Sequence, residues 1–303
     1  MFIYQSLKAV IAASFVLWVA LTSECNAQSQ RLQVVASFSI LADMAREVGG
    51  DAVDVSALVG PGADAHVFEP SPADARRVAA AQLLIVNGLE FEGWLKRLIK
   101  ASGYRGKVIV ATNGLIPRRV GLSADPHAWQ NLNNALIYIE NIQLGFSSAL
   151  PSKAADFRKN ADMYSSKIRA LHDSAVERIS AIPIAQRRVI TSHDAFGYFA
   201  DAYQVEFIAV KGWSTDSEAS AADVARIIRQ LKAKQVRAVF VENVSDPRLV
   251  QRISAEGGGV LGGTLYSDAL SSVGTSGDTY LKFFEHNVDT LIKALTLRQT
   301  PQN

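Results

Sequence analysis

Between Pro151 and Ile182 apolar residues recur every three or four positions: Phe157, Ala161, Tyr164, Ile168, Leu171, Ala175, Ile179 and Ile182. That spacing is the stripe one face of an α-helix presents to a core. Lys153, Arg158, Lys159, Lys167, Arg169, Asp173, Glu177 and Arg178 fill the intervals as a solvated face. Pro151 suits a first helical turn, where its missing N–H costs nothing, and Pro183 ends the pattern. The segment predicts one continuous helix over 151–182, roughly 45 Å long at 1.5 Å per residue. On both sides of it the chain alternates strand and helix patterns, the signature of mainly parallel sheets. The predicted fold class is therefore α/β. Two lobes, over 28–150 and 183–303, each hold a mainly parallel sheet flanked by helices, and one long rigid helix joins them.

In chain order, Gln33–Ala36 is a short β-rich run, followed by a helical pattern through Ile40, Leu41, Met44, Ala45 and Val48 that stops at Gly49-Gly50. Val53–Val59 alternates as a strand, and Gly60-Pro61-Gly62 opens a loop that carries His66. Ser71 is an N-cap candidate with Pro72 at the first helical position. Leu83–Val86 reads as a buried strand, Phe91–Ile99 as a helix and Lys107–Ala111 as a strand. A polar loop leads to Asp125-Pro126-His127 and a long helix to about Ser148. After the spine the grammar restarts. Strands are predicted at Arg188–Thr191, Val205–Val210, Val236–Val241 and Val260–Leu265, with helices between them and a last helix over Tyr280–Leu295. There is a faint internal echo. Val34-Val35-Ala36-Ser37-Phe38-Ser39 and Val189-Ile190-Thr191-Ser192-His193-Asp194 both run from a strand into a helix, which hints at two lobes of related build.

The N-terminus follows a different rule. Lys8 precedes an apolar run from Ala9 to Leu21, and Cys25-Asn26-Ala27 offers small residues at the positions a signal peptidase reads. Residues 1–27 are predicted to be a secretory signal peptide cut after Ala27, giving a periplasmic protein. The charged Glu24 just before Cys25 argues against lipid attachment there. Cleavage removes the single cysteine, and with it any disulfide or thiolate ligand. A net charge of +2 without a long basic run gives no reason to expect nucleic acid as a partner.

Candidate chemistry collects where predicted strands end. His66, His127, His193 and Asp268 each lie where a strand runs out or a loop enters a helix. Open parallel sheets bind ligands in the crevice outside the carboxyl ends of their strands. Two facing lobes would bring all four groups into one cleft, and three imidazoles with one carboxylate suit a divalent cation such as Zn²⁺. Taken singly, each histidine is equally an ordinary surface or hydrogen-bonded residue, and the close spacing of a His-Glu-x-x-His helix is missing. His172 on the spine and His286 in the last helix read as structural, and Trp129 and Trp213 as packing. Glu242 at a strand end could line the cleft. Asp125 could orient the loop of His127, and Asp194 could serve as a helix N-terminal charge or a hydrogen-bond acceptor behind a ligand.

Four stretches carry a resemblance: Asp64-Ala65-His66-Val67-Phe68-Glu69-Pro70-Ser71-Pro72, Asp125-Pro126-His127-Ala128-Trp129, Thr191-Ser192-His193-Asp194-Ala195-Phe196 and Leu265-Tyr266-Ser267-Asp268-Ala269. Each resembles a metal-ligand motif of the zinc/manganese-binding solute-binding proteins of bacterial ABC transporters, and Val241-Glu242-Asn243 and Asp246-Pro247 fit the same family. The motifs stand in the right order over nearly all of the chain beyond the leader. The resemblance implies two α/β lobes, a single linking helix and one metal site between the lobes, with His66, His127, His193 and Asp268 as its ligands. It also implies delivery of the ion, Zn²⁺ or Mn²⁺, to a membrane permease by a monomeric receptor that catalyses nothing and needs no catalytic cofactor. One departure bears on the metal. The stretch Asn113–Asp125 is short and free of histidine, where zinc members often carry a long His- and acid-rich loop. That weakens an assignment to zinc alone.

Two other function classes compete. A secreted zinc-dependent hydrolase would need an open coordination position and a general base, for which Glu242 is the nearest candidate. The other class is an adhesin-like surface protein. The motifs favour a metal-binding receptor, expected to hold zinc more tightly than manganese.

Overall fold

The computed structural model describes residues 31–233, 236 and 238–296. The leader, its cleavage site and Cys25 lie outside the described residues. Strand β1 (Leu32–Phe38) is followed by α1 (Ser39–Gly49), β2 (Val53–Val59), α2 (Pro72–Ala80), β3 (Leu83–Val86), α3 (Leu95–Ser102) and β4 (Lys107–Val110). Their sheet has the order β2-β1-β3-β4 and is parallel throughout. The interior strand β3, Leu-Leu-Ile-Val, is buried at all four positions, the continuous apolar run expected of a strand covered on both faces.

A small antiparallel hairpin, β5 (Arg119–Val120) and β6 (Ser123–Ala124), interrupts the segment read from sequence as a plain polar loop. Gly121, at φ 62°, supplies the left-handed residue of its turn. Helix α4 (Leu132–Ala149) then leads into α5 (Ala154–Ser180), the predicted spine. Pro151–Lys153 forms a 3₁₀ turn rather than the first α-turn, so the α-helix proper is 27 residues and Ile182 lies just past its end. Its stripe Phe157, Ala161, Tyr164, Ile168, Ala175 and Ile179 is buried as the spacing predicts, while Leu171 is only half-buried. This helix is no bare strut, for it packs along α4, α1 and the last helix.

The second lobe repeats the build with β7 (Arg188–Thr191), α6 (Gly197–Tyr203), β8 (Glu206–Ala209), α7 (Ala221–Ala233), β9 (Ala238–Glu242), α8 (Pro247–Gly257), β10 (Val260–Leu265) and α9 (Tyr280–Thr296). The order β10-β9-β7-β8 is again parallel. Counted within each lobe, both sheets run second-first-third-fourth, so the six-residue echo between β1 and β7 marks a shared topology. A single buried apolar cluster runs from Leu32 through the spine to Leu295, and a smaller one around Ile190, Ile227 and Val239 fills the remaining face of the second sheet.

Two local outcomes bear on the site. Ser71 caps α2 as expected, in a reciprocal capping box with Asp74. The helix expected from Phe91 starts only at Leu95. Gly88, Leu89 and Glu90 are all left-handed, at φ 85°, 53° and 63°, and no helix runs through that geometry. The buried Glu92 carboxylate holds this turn by accepting the N–H groups of Asn87 (2.6 Å) and Gly88 (3.2 Å) and the hydroxyl of Ser37 (2.6 Å). The turn thereby sets the Phe91 ring against His66, at 4.8 Å between centroids.

Candidate metal centre

His66 lies in the loop after β2, His127 after β4 and the hairpin, His193 two residues beyond β7, and Asp268 three residues beyond β10. The structure brings all four together, with a potential ligand atom from each lying within 4.8 Å of the others. His127, His193 and Asp268 are fully buried, and the His66 side chain is 6% exposed. The Nε2 atoms of His66 and His127 stand 3.3 Å apart. Asp268 Oδ2 is 3.0 Å from His193 Nε2 and 3.5 Å from His66 Nε2, and its Oδ1 is 3.6 Å from His127 Nε2. Ligands of a tetrahedral ion with bonds of about 2.0–2.1 Å stand about 3.3 Å apart. Four of the six edges of such a polyhedron are thus close to that length, and the remaining two pairs lie within 4.8 Å. The fully buried Asp268 carboxylate faces the three imidazoles, His193 Nε2 nearest, and a carboxylate so buried is tolerated only beside positive charge, from an imidazolium or from a bound cation.

Each loop that carries a candidate ligand is shaped locally. Asp64 Oδ1 accepts the backbone N–H of His66 at 2.8 Å, and Asp125 Oδ1 accepts that of His127 at 3.0 Å. Both are Asp-x-His turns in which the short carboxylate folds back on the chain two residues on. The repeated spacing was visible in the sequence, yet a role for Asp64 was not read from it. Asp125 Oδ1 also lies 2.8 Å from His127 Nδ1, and Arg118 lies 3.2 Å from its Oδ2. In the second lobe Glu242, the last residue of β9, takes the supporting role. Its Oε1 accepts the His193 N–H at 2.9 Å and its Oε2 lies 2.5 Å from His193 Nδ1. A carboxylate at Nδ1 fixes the ring and leaves Nε2 facing the centre.

Electrostatics follow from this packing. Burial pushes His66 down to about 4, outweighing the Asp268 carboxylate, so its ring is neutral and ready to ligate. Burial also acts against charge on His193, but Glu242 and Asp268 outweigh it and hold the imidazolium well above the ordinary histidine range. Asp268 is held well below the usual carboxylate range, because the imidazoles of His193, His127 and His66 overcome its burial.

The other sequence candidates resolve elsewhere. His172 Nδ1 meets the Tyr203 hydroxyl at 2.9 Å, and His286 Nε2 meets the Thr264 carbonyl at 2.9 Å, away from the centre. The Asp194 carboxylate, with Arg118 and Lys211, lines a cavity of about 570 Å³ against β8 that none of the four central residues lines. Trp129 packs on Phe38, Phe91 and His127, and its indole also donates a hydrogen bond to the Ser267 carbonyl at 2.9 Å.

Residues 34–294 match the family described as zinc-uptake complex component A, periplasmic. The chain is 35% identical over 300 residues to the manganese-binding lipoprotein MntA of Bacillus subtilis (strain 168), covering 95% of this chain and 98% of the relative. It is 31% identical over 294 residues to the iron-binding protein YfeA of Yersinia pestis, covering 95% of this chain and 94% of the relative. The periplasmic zinc-binding protein TroA from Treponema pallidum superposes with a TM-score of 0.85 at 27% identity, over 88% of this chain and 99% of that one.

Proposed function

This chain belongs to the periplasmic zinc-uptake component A family, and from that premise we propose that it binds one divalent transition-metal ion outside the cytoplasm and delivers it to the permease of an ABC transporter. The ligands are His66, His127 and His193 through Nε2 and Asp268 through its carboxylate. The observation that carries the reading is the convergence of three imidazole nitrogens on one fully buried carboxylate. Members of the family are solute-binding proteins for metal transport and not enzymes. That sets the hydrolase reading aside, and Glu242, its proposed base, is engaged at both carboxylate oxygens in holding His193.

Zinc binds this site more tightly than manganese. Imidazole nitrogen favours zinc, manganese prefers oxygen-rich sites, and zinc stands above manganese in the general affinity order. Manganese as the delivered ion is the second reading. It is favoured by the two Asp268 oxygens facing the imidazoles, which permit a fifth bond, and by the manganese-binding relative. An ion held less tightly is also more easily surrendered to a permease. The test is metal analysis of protein purified without added metal, followed by competition between Zn²⁺ and Mn²⁺. One equivalent of bound ion with zinc displacing manganese is expected. Protein that takes up neither ion stoichiometrically would overturn the proposal.

The same reading covers the rest of the chain. We propose residues 1–27 as a leader removed after Ala27, leaving a monomeric periplasmic protein with lobes over 28–150 and 183–303 and the link over 151–182. N-terminal sequencing of exported protein should begin near Gln28. A lipid on Cys25 would show instead that the receptor is tethered like its lipoprotein relatives.

A further inference from the structure

Asp268 leaves the second sheet at the end of β10, yet the loop that carries it is bonded to the first lobe. The Ser267 carbonyl accepts two hydrogen bonds from first-lobe side chains, the Trp129 indole at 2.9 Å and the Gln130 amide at 2.8 Å. Two residues on the other side of Asp268, Leu270 N–H donates to Ser39 Oγ at 3.0 Å and its carbonyl accepts Gly62 N–H at 2.8 Å. From its own lobe the loop is held by two asparagines, of which Asn287 accepts the Tyr266 N–H at 2.8 Å and donates to the Tyr266 carbonyl at 2.7 Å. The Asn243 amide accepts Ser267 N–H at 3.1 Å and donates to the Ala269 carbonyl at 2.9 Å. His193, by contrast, is held within its own lobe by Glu242.

We infer that Trp129 and Gln130 are positioning residues of the metal site, which act across the seam between the lobes by fixing the Ser267 peptide and through it the Asp268 carboxylate. This rests on the reading of Asp268 as a metal ligand. The Ser267 carbonyl is directly joined to the Asp268 amide, so two donors on that oxygen set the plane of the peptide from which the ligand side chain springs. Both donors are themselves fixed. Trp129 is fully buried against Phe38 and Phe91, and its own carbonyl accepts the Tyr280 hydroxyl. Gln130 is fully buried and its Oε1 has no partner, so the residue contributes a donor to Ser267 at the cost of an unsatisfied acceptor. A side chain kept for packing alone would not need that amide. Asp268 is thereby held from both lobes, by Asn243 and Asn287 on its own side and by Trp129 and Gln130 across the seam, whereas His193 is braced from its own lobe by Glu242.

The test uses the full mature chain and Zn²⁺ with graded chelators. Gln130→Met keeps the length of the side chain and removes the donor. Trp129→Phe removes the indole N–H and some packing as well, so Gln130→Met carries the decision. Each variant should raise the zinc Kd by about 10–100-fold, the range for residues that orient a ligand, while the metal-free melting temperature of Gln130→Met does not fall, because an unsatisfied buried oxygen goes with the amide. Combined with Asp268→Asn, the Gln130→Met effect should shrink to less than about threefold, because residues acting through one ligand are not additive. An undiminished effect in the Asp268→Asn background, or a Gln130→Met protein that binds zinc like the wild type, overturns the inference. Asp268→Asn protein with unchanged zinc affinity would instead remove the ligand assignment itself, a result separable from either.

Discussion

The two lobes have one topology and use it differently. Both sheets run second-first-third-fourth, and both offer the loops at the carboxyl ends of their strands to the same crevice. The first lobe places its candidate ligands after its second and fourth strands, at His66 and His127. The second places them after its first and fourth, at His193 and Asp268. At the end of the first strand of the first lobe, the place His193 holds in the echo is taken by Phe38, a buried core residue that offers no ligand atom. The shared fold fixes where ligands can come from, and the loops decide which positions carry them.

The supporting carboxylates differ in the same way. Asp125 behind His127 is balanced by Arg118, which also contacts Asp201. Glu242 behind His193 is as deeply buried, and the group it faces is the imidazole itself. A buried anion is tolerated only when a cation or hydrogen bonds compensate it. His193 therefore carries the compensating charge in the second lobe, and, as the proposed Nε2 ligand, it would give up its Nε2 proton to an ion while Nδ1–H stays toward Glu242.

The largest expected effect comes from removing one proposed ligand in either lobe. His127→Ala and His193→Ala should each weaken zinc binding by more than the ~100-fold that marks the upper range for supporting residues, as read by chelator competition. Equal binding by either variant and the wild type would break the symmetry argued between the lobes.

Next come the supports. Glu242→Gln and Asp125→Asn should each cost about 10–100-fold in affinity, but they should differ in proton release. With His193 raised above its ordinary range, zinc binding near pH 7 should release about one proton in the wild type and in Asp125→Asn, and affinity should rise with pH until the His193 range is passed. In Glu242→Gln the proton is held less firmly, so release and the pH slope should both shrink. Calorimetry in buffers of different ionisation enthalpy reads this directly. Identical proton counts in the two variants would contradict the contrast drawn here.

The last prediction concerns the seam and stability rather than affinity. Asp43 on α1 accepts the Tyr280 N–H at the start of α9 at 2.8 Å, and burial pushes its carboxyl up to about 6. The folded state thus holds this proton more tightly than the unfolded chain does. Its contribution favours folding below about pH 4 and is lost as pH rises through about 6, by up to about 3 kcal/mol. Asp43→Asn keeps an acceptor for Tyr280 without the buried charge. It should raise the melting temperature at pH 7.5 and flatten this part of the pH profile. Thermal unfolding across pH 4–8 checks it, and an unchanged slope would show that the carboxyl is not the group responsible.

Much of the fold was legible because it rests on local rules. The stripe from Phe157 to Ile179 could bury only one helix face, Ser71 and Asp74 could cap a helix by themselves, and the run Leu83–Val86 had no polar side to expose. Arg188–Thr191 and Val260–Leu265 were legible to the residue. The late start of α3 was not, because Gly88-Leu89-Glu90 takes its left-handed path under the hold of Glu92, whose partner Ser37 stands 55 residues away. The four candidate ligands could be named from strand ends and motif resemblance, and the Asp-x-His turns are local enough to be read in the same way.

What the sequence alone determined, then, is everything that depends on neighbours along the chain: periodicity, caps, strand ends and the identity of the donors. Tertiary structure decided what depends on groups far apart. It set the 3.0–3.6 Å edges among the four side chains, chose Glu242 rather than Asp194 to hold His193, and bound the Asp268 loop to Trp129 and Gln130, more than 130 residues earlier in the chain. The physical reason is that burial and charge compensation are properties of the folded surroundings. A carboxylate in sequence is only a charge, and it becomes a support or a ligand when packing strips its water and leaves it one partner.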